Sequence, residues 1–172
     1  MPAARESTLV VHEIEPVFDE RSRVLVLGTM PSPVSRAEGF FYGHPQNRFW
    51  RVMEALFGLP DHALADNDAR RAFLLEHQIA LWDVLASCTI EGASDASIHH
   101  ARPNDLRRIL DAAPIEAVFT TGTKATQLYH RFCEKDCGMP ATPLPSTSPA
   151  NARMRLPDLV QAYRPIRNVL ES

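Results

Sequence analysis

Short apolar runs alternate with amphipathic stretches along the chain. The run Val24 to Leu27 is uninterrupted and partly β-branched, which is typical of a buried strand. From Phe49 to Phe57 the apolar side chains recur at helical spacing instead. Pro165 is expected to kink or break the last helix. The complete pattern predicts strands at 24–27, 79–85, 117–121 and 142–144, and helices at 48–57, 68–77, 105–112, 124–134 and 156–170.

Strands that alternate with helices form parallel β–α–β units, which stack in layers. The predicted fold class is therefore α/β, a three-layer sandwich around a parallel sheet, in a single domain spanning residues 1–172. In open parallel sheets, ligands bind beyond the carboxyl ends of the strands. Thr29, Asp83, Thr121 and Ser146 fall at such ends, so these four segments are predicted to converge on one crevice.

The composition narrows the class of protein. A chain of 172 residues with 45% apolar side chains can bury one full core but is short for two ordinary domains. Neither a secretory leader nor a membrane-spanning stretch is recognisable, so a cytoplasmic monomer without a membrane partner is expected. Cys88, Cys133 and Cys137 lack paired Cys-x-x-Cys spacing. Free thiols are therefore favoured over a metal site, and no cofactor is expected.

The segment from Gly39 to Trp50 is the most informative part of the chain. It combines aromatic side chains with His44, Asn47 and Arg48, a mixture that suits a pocket able to stack on and read a flat heterocycle. Asn47 falls where a loop containing glycine and proline meets a helix. The alternative interpretation is that Asn47 is only a helix N-cap and that the aromatic side chains belong to the core.

Four segments follow one another in a characteristic order. They are Gly-Thr-Met-Pro-Ser at 28–32, Tyr-Gly-His-Pro-Gln-Asn-Arg-Phe-Trp at 42–50, Leu-Trp-Asp-Val-Leu at 81–85 and Pro-Ser-Thr-Ser-Pro-Ala-Asn at 145–151. Together they resemble the hypoxanthine-DNA glycosylase (DNA-deoxyinosine glycosylase) family of the uracil-DNA glycosylase superfamily. The resemblance implies a central four-stranded parallel sheet with helices on both faces. It also implies a monofunctional DNA glycosylase of base excision repair, which flips a deaminated base, above all hypoxanthine, out of DNA and hydrolyses its N-glycosidic bond.

The resemblance assigns catalysis to Asn47, within His44-Pro45-Gln46-Asn47. Many relatives instead carry the catalytic Asp or Asn at the position of Met30, which cannot do that work. An amide takes no proton, but its carbonyl oxygen can orient a water and its NH₂ group can hold a nearby oxygen. Leu144 stands where many relatives have a His before Pro-Ser, so stabilisation of the departing base falls to His44 or to backbone amides.

Base binding is expected at Tyr42, Asp83, Thr29 and His44. Tyr42 matches the aromatic that stacks on the extruded base in similar enzymes, and such stacking contributes about 1–3 kcal/mol. An ionised Asp83 aimed at N1–H of hypoxanthine would attract that base and repel adenine, whose N1 is an acceptor. A charged hydrogen bond of this kind contributes about 1.5–3 kcal/mol. The alternatives are that Tyr42 packs in the core and that Asp83 only caps a loop.

Charge and loop chemistry point to the second half of the chain as the DNA-binding face. The net charge is −3, but residues 1–100 carry 8 basic and 14 acidic side chains, whereas residues 101–172 carry 10 basic and 7 acidic ones. Basic side chains release counterions from the phosphates of double- or single-stranded DNA. Prolines stiffen the loop at 145–151, and its hydroxyl groups are suitable phosphate donors. The predicted DNA-binding residues are Ser32, Lys124, Ser146, Thr147, Ser148, Asn151 and Arg153.

Three alternatives remain open from the sequence. The enzyme could prefer uracil or xanthine, which share the lactam edge of hypoxanthine. A nucleic-acid-binding module without catalysis would keep the basic face and Tyr42, but it would need no polar group beside the sugar. A small-molecule hydrolase would use Ser32 or Ser146 as nucleophile and His44 as base, but the sequence lacks the Gly-x-Ser-x-Gly motif of such enzymes.

Overall fold

The computed structural model describes residues 7–91 and 97–172. The segment 91–97, whose sequence predicts a surface loop, lies largely outside these residues. The described strands are β1 (Thr8–Val11), β2 (Val24–Gly28), β3 (Ile79–Asp83), β4 (Leu85–Ile90), β5 (His99–Pro103), β6 (Ala117–Thr121) and β7 (Ala141–Leu144). The described helices are α1 (Pro33–Glu38), α2 (Phe49–Leu56), α3 (Asn67–Glu76), α4 (Arg107–Leu110), α5 (Thr123–Phe132), α6 (Glu134–Cys137) and α7 (Leu156–Glu171).

A four-stranded parallel sheet forms the centre, in the order β3-β2-β6-β7. Every residue of β2 and β3 is buried, as expected for parallel strands covered on both faces. The register pairs Gly28, the last residue of β2, with Asp83, the last residue of β3. The predicted α/β class with a four-stranded parallel sheet is confirmed.

The helices follow the predicted pattern with three differences, the first being α1, which the sequence pattern did not predict. The predicted helix at 124–134 is divided, because α5 ends at Phe132 and α6 follows after Cys133. The expected break at Pro165 does not occur, since α7 continues through this residue. Leu159, Tyr163 and Ile166 are buried on both sides of the proline, and α7 packs on α2 and β2. This packing offsets the backbone hydrogen bond that proline cannot make.

A second, antiparallel sheet in the order β1-β4-β5 was not anticipated by the sequence pattern. The apolar run at 79–85 predicts one strand, but β3 ends at Asp83 and β4 begins at Leu85. Asn104 Nδ2 holds this junction by donating hydrogen bonds to the carbonyl oxygens of Asp83 at 2.9 Å and Leu85 at 3.0 Å. The chain thus passes from the parallel sheet directly into the antiparallel one.

None of the helices in the described ranges has both the length and the apolar character needed to cross a lipid bilayer.

Candidate active site

A cavity of about 580 Å³ opens beyond the carboxyl ends of β2 and β3. The segment after β2 and the aromatic loop form one side, and Asp83 lies at the end of β3. The antiparallel sheet contributes Val10, Cys88 and Ile90, so the unanticipated strands form part of the cavity wall. The remaining lining residues are Met30, Pro31, Ser32, Pro33, Ser35, Arg36, Phe41, Tyr42, His44, Asn47, Asp83, Ser148, Pro149 and Ala150.

Gly28 lies where three polar groups approach the backbone. An ideal Cβ at this position would lie 2.5 Å from Asp83 Oδ1, 3.1 Å from the Tyr42 hydroxyl and 3.6 Å from Thr121 Oγ1. Only a residue without a side chain leaves room for the carboxylate. The parallel register therefore brings the ends of β2, β3 and β6 together around one acidic group.

Asp83 is 4% exposed and lines the cavity. Its Oδ2 lies 2.8 Å from Nε2 of His12, a residue that directly follows β1. The two side chains are 5% and 1% exposed, so this contact is almost completely shielded from water. A buried carboxylate requires a hydrogen-bonding partner, and His12 provides one.

Tyr42 has a backbone φ of 53°, in the left-handed region that few residues other than glycine adopt. Its ring stacks on Phe49 with centroids 4.0 Å apart and an interplanar angle of 12°. Its hydroxyl lies 3.0 Å from Thr121 Oγ1. Burial raises the pKa of Tyr42 well above its ordinary value, and the nearby charge of Asp83 raises it further. Phe49 covers one face of the ring, so a base could stack only on the other face.

Asn47 is fixed by hydrogen bonds to its carbonyl oxygen. Oδ1 accepts from the backbone N–H of Phe49 at 2.9 Å and from the hydroxyl of Thr147 at 2.8 Å. The first bond satisfies an orphan donor at the start of α2, although the N-cap residue itself is Arg48, one position after Asn47. Because both lone pairs of Oδ1 are engaged, Nδ2 is the group of this cavity-lining amide that can contact a ligand or a water.

Arg48 connects the aromatic loop to the loop at 145–151 and the residues after it. Its Nη2 donates to the carbonyl oxygens of Ser148 at 3.0 Å and Asn151 at 2.9 Å, and its Nη1 donates to that of Met154. The backbone N–H of Arg48 also donates to the carbonyl oxygen of Thr147 at 3.1 Å. These bonds hold the two loops against each other and keep Thr147 beside the Asn47 amide.

His44 is half-buried at the cavity wall. Its Nδ1 lies 3.1 Å from the backbone N–H of Gln46 and accepts a hydrogen bond from it. In the neutral ring the proton is then on Nε2, so His44 can donate a hydrogen bond through that nitrogen. Leu144, at the position where the family resemblance implies a His, is buried at the end of β7.

The other predicted site residues differ in how close they come to the cavity. Ser32 and Ser148 line it, although Ser32 Oγ also caps α1 by accepting from Ser35 N–H at 3.2 Å. Ser146, Thr147 and Asn151 belong to the loop that Arg48 holds, but they are not among the lining residues. The Asn151 side chain is used within this loop, where its Nδ2 donates to Ser146 O at 3.0 Å.

Thr29, Lys124 and Arg153 are not brought to the cavity surface. Thr29 is buried, and its carbonyl oxygen accepts from Leu85 N–H at 3.2 Å, so its position belongs to the junction between the sheets. Lys124 lies in the first turn of α5, and Arg153 is exposed in the loop after Asn151.

Sequence reasoning assigned no individual role in the site to His12, Gly28, Arg36 or Arg48. The run Leu9-Val10-Val11 is apolar and rich in β-branched residues, a pattern that favours a strand and could have drawn attention to His12 beyond it. Arg48 stands inside the aromatic segment, but its loop partners lie about 100 residues away, and no local signal identifies them.

The part of the chain that the structure describes contains no group of three or more His, Cys, Asp or Glu side chains arranged to hold a metal ion.

The chain is similar to known proteins of one superfamily. The chain matches the Uracil DNA glycosylase superfamily over residues 15–167. A hypoxanthine DNA glycosylase of Methanosarcina acetivorans is 31% identical over 144 residues, which are 80% of this chain and 85% of that protein. One from Methanosarcina barkeri is 34% identical over 111 residues, 64% of this chain and 70% of that protein.

A solved structure shows the same fold. It is a solution NMR structure of a protein from Methanosarcina acetivorans, provisionally named a uracil DNA glycosylase. It is 27% identical with a TM-score of 0.72, and the match covers 93% of this chain and 99% of that one. The chain therefore belongs to the uracil DNA glycosylase superfamily, whose members are hydrolytic DNA glycosylases, and within it to the hypoxanthine DNA glycosylase family.

Proposed function

We propose that this protein removes hypoxanthine from deoxyinosine in DNA by hydrolysing the N-glycosidic bond. The observation that carries the proposal is the Asn47 amide, fixed at the wall of a cavity that also contains the Asp83 carboxylate and the Tyr42 ring. The two relatives named hypoxanthine DNA glycosylase support the choice of base. Because one chain builds the whole cavity, the proposed working unit is the monomer.

The base must leave the helix to enter the cavity. A volume of about 580 Å³ lies within the usual range for small-molecule sites and is ample for one purine. Extrusion costs a few kcal/mol and is cheapest at a mispaired base, which favours deaminated sites over normal pairs. The free face of Tyr42 then stacks on the base, contributing about 1–3 kcal/mol irrespective of its identity.

Asn47 acts by positioning rather than by proton transfer. Its Oδ1 is held by Phe49 and Thr147, so Nδ2 donates a hydrogen bond to the oxygen of the attacking water. Holding a water at the sugar lowers the barrier by several kcal/mol, because the freedom of the water is lost before the reaction begins. The hydrogen-bond partners of Oδ1 keep the amide from turning away.

The departing base carries negative charge, which a hydrogen-bond donor stabilises. His44 supplies this donor through Nε2–H, because its Nδ1 is occupied by the backbone N–H of Gln46. His44 thereby takes the role that Leu144 cannot perform.

Asp83 selects the base. Its carboxylate accepts a hydrogen bond from N1–H of hypoxanthine and repels the N1 lone pair of adenine. At about 1.5–3 kcal/mol, this contact gives a preference of roughly ten- to a hundredfold. Uracil and xanthine also present a lactam N–H, so shape and stacking must discriminate among the three.

A lesion panel tests the proposal. Single-turnover base release is measured on matched duplexes and single strands carrying deoxyinosine, deoxyuridine, deoxyxanthosine or deoxyadenosine. We expect deoxyinosine to be processed fastest and deoxyadenosine at least a hundred times more slowly. Faster release of uracil or xanthine would overturn the choice of base, and binding of all four duplexes without any release would identify a non-catalytic module.

A further inference from the structure

The contact between His12 and Asp83 joins two residues 71 positions apart and ties the antiparallel sheet to the end of the parallel one. The Nε2–Oδ2 distance is 2.8 Å, and the two side chains are 1% and 5% exposed. This carboxylate is buried against the imidazole on one side while it still borders the cavity on the other.

The surroundings of His12 do not by themselves require a polar side chain. Its ring packs near Phe41, with centroids 6.1 Å apart, and edge-on to Trp82 at 6.3 Å. A phenyl group would fill the same aromatic environment without the cost of burying a polar ring. The polar contact of the imidazole is the hydrogen bond between its Nε2 and the Asp83 carboxylate.

The second oxygen of the carboxylate has a different environment. Oδ1 lies over Gly28, where an ideal Cβ would be 2.5 Å away, and the Tyr42 hydroxyl is near the same point. Because His12 already engages one lone pair of Oδ2, Oδ1 has the larger remaining capacity to accept a hydrogen bond from a base. Tyr42 is a further titratable group near this carboxylate, and burial raises its pKa, so the neutral hydroxyl is favoured still more strongly.

We propose that His12 is a positioning residue for base selection: it holds Oδ2 of Asp83 so that Oδ1 accepts the lactam N–H of the extruded base. This inference rests on the proposed function and names a residue that acts only through Asp83. It predicts that replacing His12 lowers hypoxanthine release while residue 83 is a carboxylate. Once Asp83 is changed, the same replacement should have little effect on release.

A double-mutant cycle tests this coupling, because a residue that acts through another gives non-additive effects. Single-turnover hypoxanthine release is measured for the parent protein, His12→Phe, Asp83→Asn and the double variant. We expect His12→Phe to lower release about tenfold in the parent and less than twofold in the Asp83→Asn background. His77→Phe is the matched control, since His77 is a half-buried ring packed on Phe57 and Phe73, and no change is expected there.

Two further variants guard against a folding defect. His12→Gln can return a donor near the position of Nε2 and should restore release to within threefold of the parent, whereas the shorter His12→Asn should not. Thermal unfolding is recorded for every variant. Equal losses in both Asp83 backgrounds, or no rescue by glutamine in a folded protein, would assign His12 a purely structural role and overturn the inference. A parent protein that releases no base from any lesion would instead overturn the proposed function.

Discussion

The cavity has two walls that are built in different ways. The Asn47 wall consists of the loops at 42–48 and 145–151. In it, the amide oxygen of Asn47 accepts hydrogen bonds from a backbone N–H and from a hydroxyl. The Asp83 wall consists of Asp83, His12 and Gly28, which strand pairing and close packing bring together. The Asn47 wall borders solvent, whereas the Asp83 wall lies between the two sheets.

This difference matches the two tasks of a glycosylase. In the proposed mechanism a water must reach the sugar, and the wall proposed to hold it lies beside open loops. Discrimination between bases requires a carboxylate with one fixed orientation, since a mobile one would accept many hydrogen-bond patterns. The two walls should therefore respond differently to substitution, with uniform losses of rate at the first and altered base preference at the second.

At the Asp83 wall the largest effect is expected from Gly28→Ala. The added Cβ would lie 2.5 Å from Asp83 Oδ1, and the carboxylate cannot move away without leaving His12. We expect the free energy of unfolding to fall by about 1–3 kcal/mol. Hypoxanthine release should fall about a hundredfold even at temperatures where the protein is folded. Denaturant titration and single-turnover assays measure the two quantities.

The double variant Gly28→Ala/Asp83→Ala is the matched control for this prediction. It removes the group that the new methyl meets, so its stability should equal that of Asp83→Ala alone, while base selection does not return. If Gly28→Ala released hypoxanthine at the parental rate, the reaction would not depend on the exact position of the Asp83 carboxylate.

A smaller, uniform effect is expected from Arg48→Met at the Asn47 wall. Methionine keeps the apolar stem but removes the bonds to the carbonyl oxygens of Ser148, Asn151 and Met154. Release of every lesion should fall by about ten- to thirtyfold, with ratios between lesions unchanged. Arg51→Met is the control, because Arg51 is exposed and makes one long contact, 3.4 Å to Pro45 O. A change in base preference for Arg48→Met would contradict the division between the walls.

Asp83→Asn should change the preference among bases rather than abolish the release of hypoxanthine. An amide can present either its oxygen or its NH₂ group to a base, so the gap between hypoxanthine and adenine should narrow about tenfold. Asp83→Ala should lower hypoxanthine release without creating adenine release. Rates on deoxyinosine, deoxyuridine and deoxyadenosine duplexes measure this. Unchanged relative rates in a folded Asp83→Asn protein would mean that base selectivity comes from the shape of the cavity and from stacking on Tyr42.

The smallest effect is expected outside both walls, at Arg153 and Arg155. Both are exposed beside the loop at 145–151, and each proposed phosphate contact contributes about 0.9 to the slope of log affinity against log salt. Changing both to alanine should flatten this slope by up to about 2. Alanine at Arg131 and Lys135, two exposed basic residues elsewhere, gives a charge-matched control. Equal slopes for parent and variant would remove this arginine pair from the interface.

Local patterns in the sequence predict the parallel sheet well, because burial on both faces gives β2 and β3 continuous apolar runs. The antiparallel sheet cannot be predicted from such local patterns. β1 has only four residues, β5 is mostly exposed and ends in Pro103, and β4 continues an apolar run that already belongs to β3. Without this sheet, one cannot infer the part of the cavity wall formed by Val10, Cys88 and Ile90, nor that His12 is the partner of Asp83.

The Asn47 amide illustrates the same limit at the level of one residue. Its place at the start of α2 can be read from the loop and helix pattern, and the family resemblance suggests its role. The hydroxyl that occupies its Oδ1 belongs to Thr147, 100 residues away, so the direction in which this amide can act depends on tertiary structure.

The central claim is that the Asn47 wall performs the chemistry and the Asp83 wall reads the base. The most direct measurement combines single-turnover release from a deoxyinosine duplex with affinity for an uncleavable 2′-fluoro counterpart, for the parent and Asn47→Ala, with the exposed neighbour Gln46→Ala as control. We predict that Asn47→Ala loses at least a hundredfold in rate, about 3 kcal/mol in barrier, while its affinity stays within threefold of the parent. Release within about threefold of the parent, or a loss of affinity that accounts for the whole rate effect, would contradict the account.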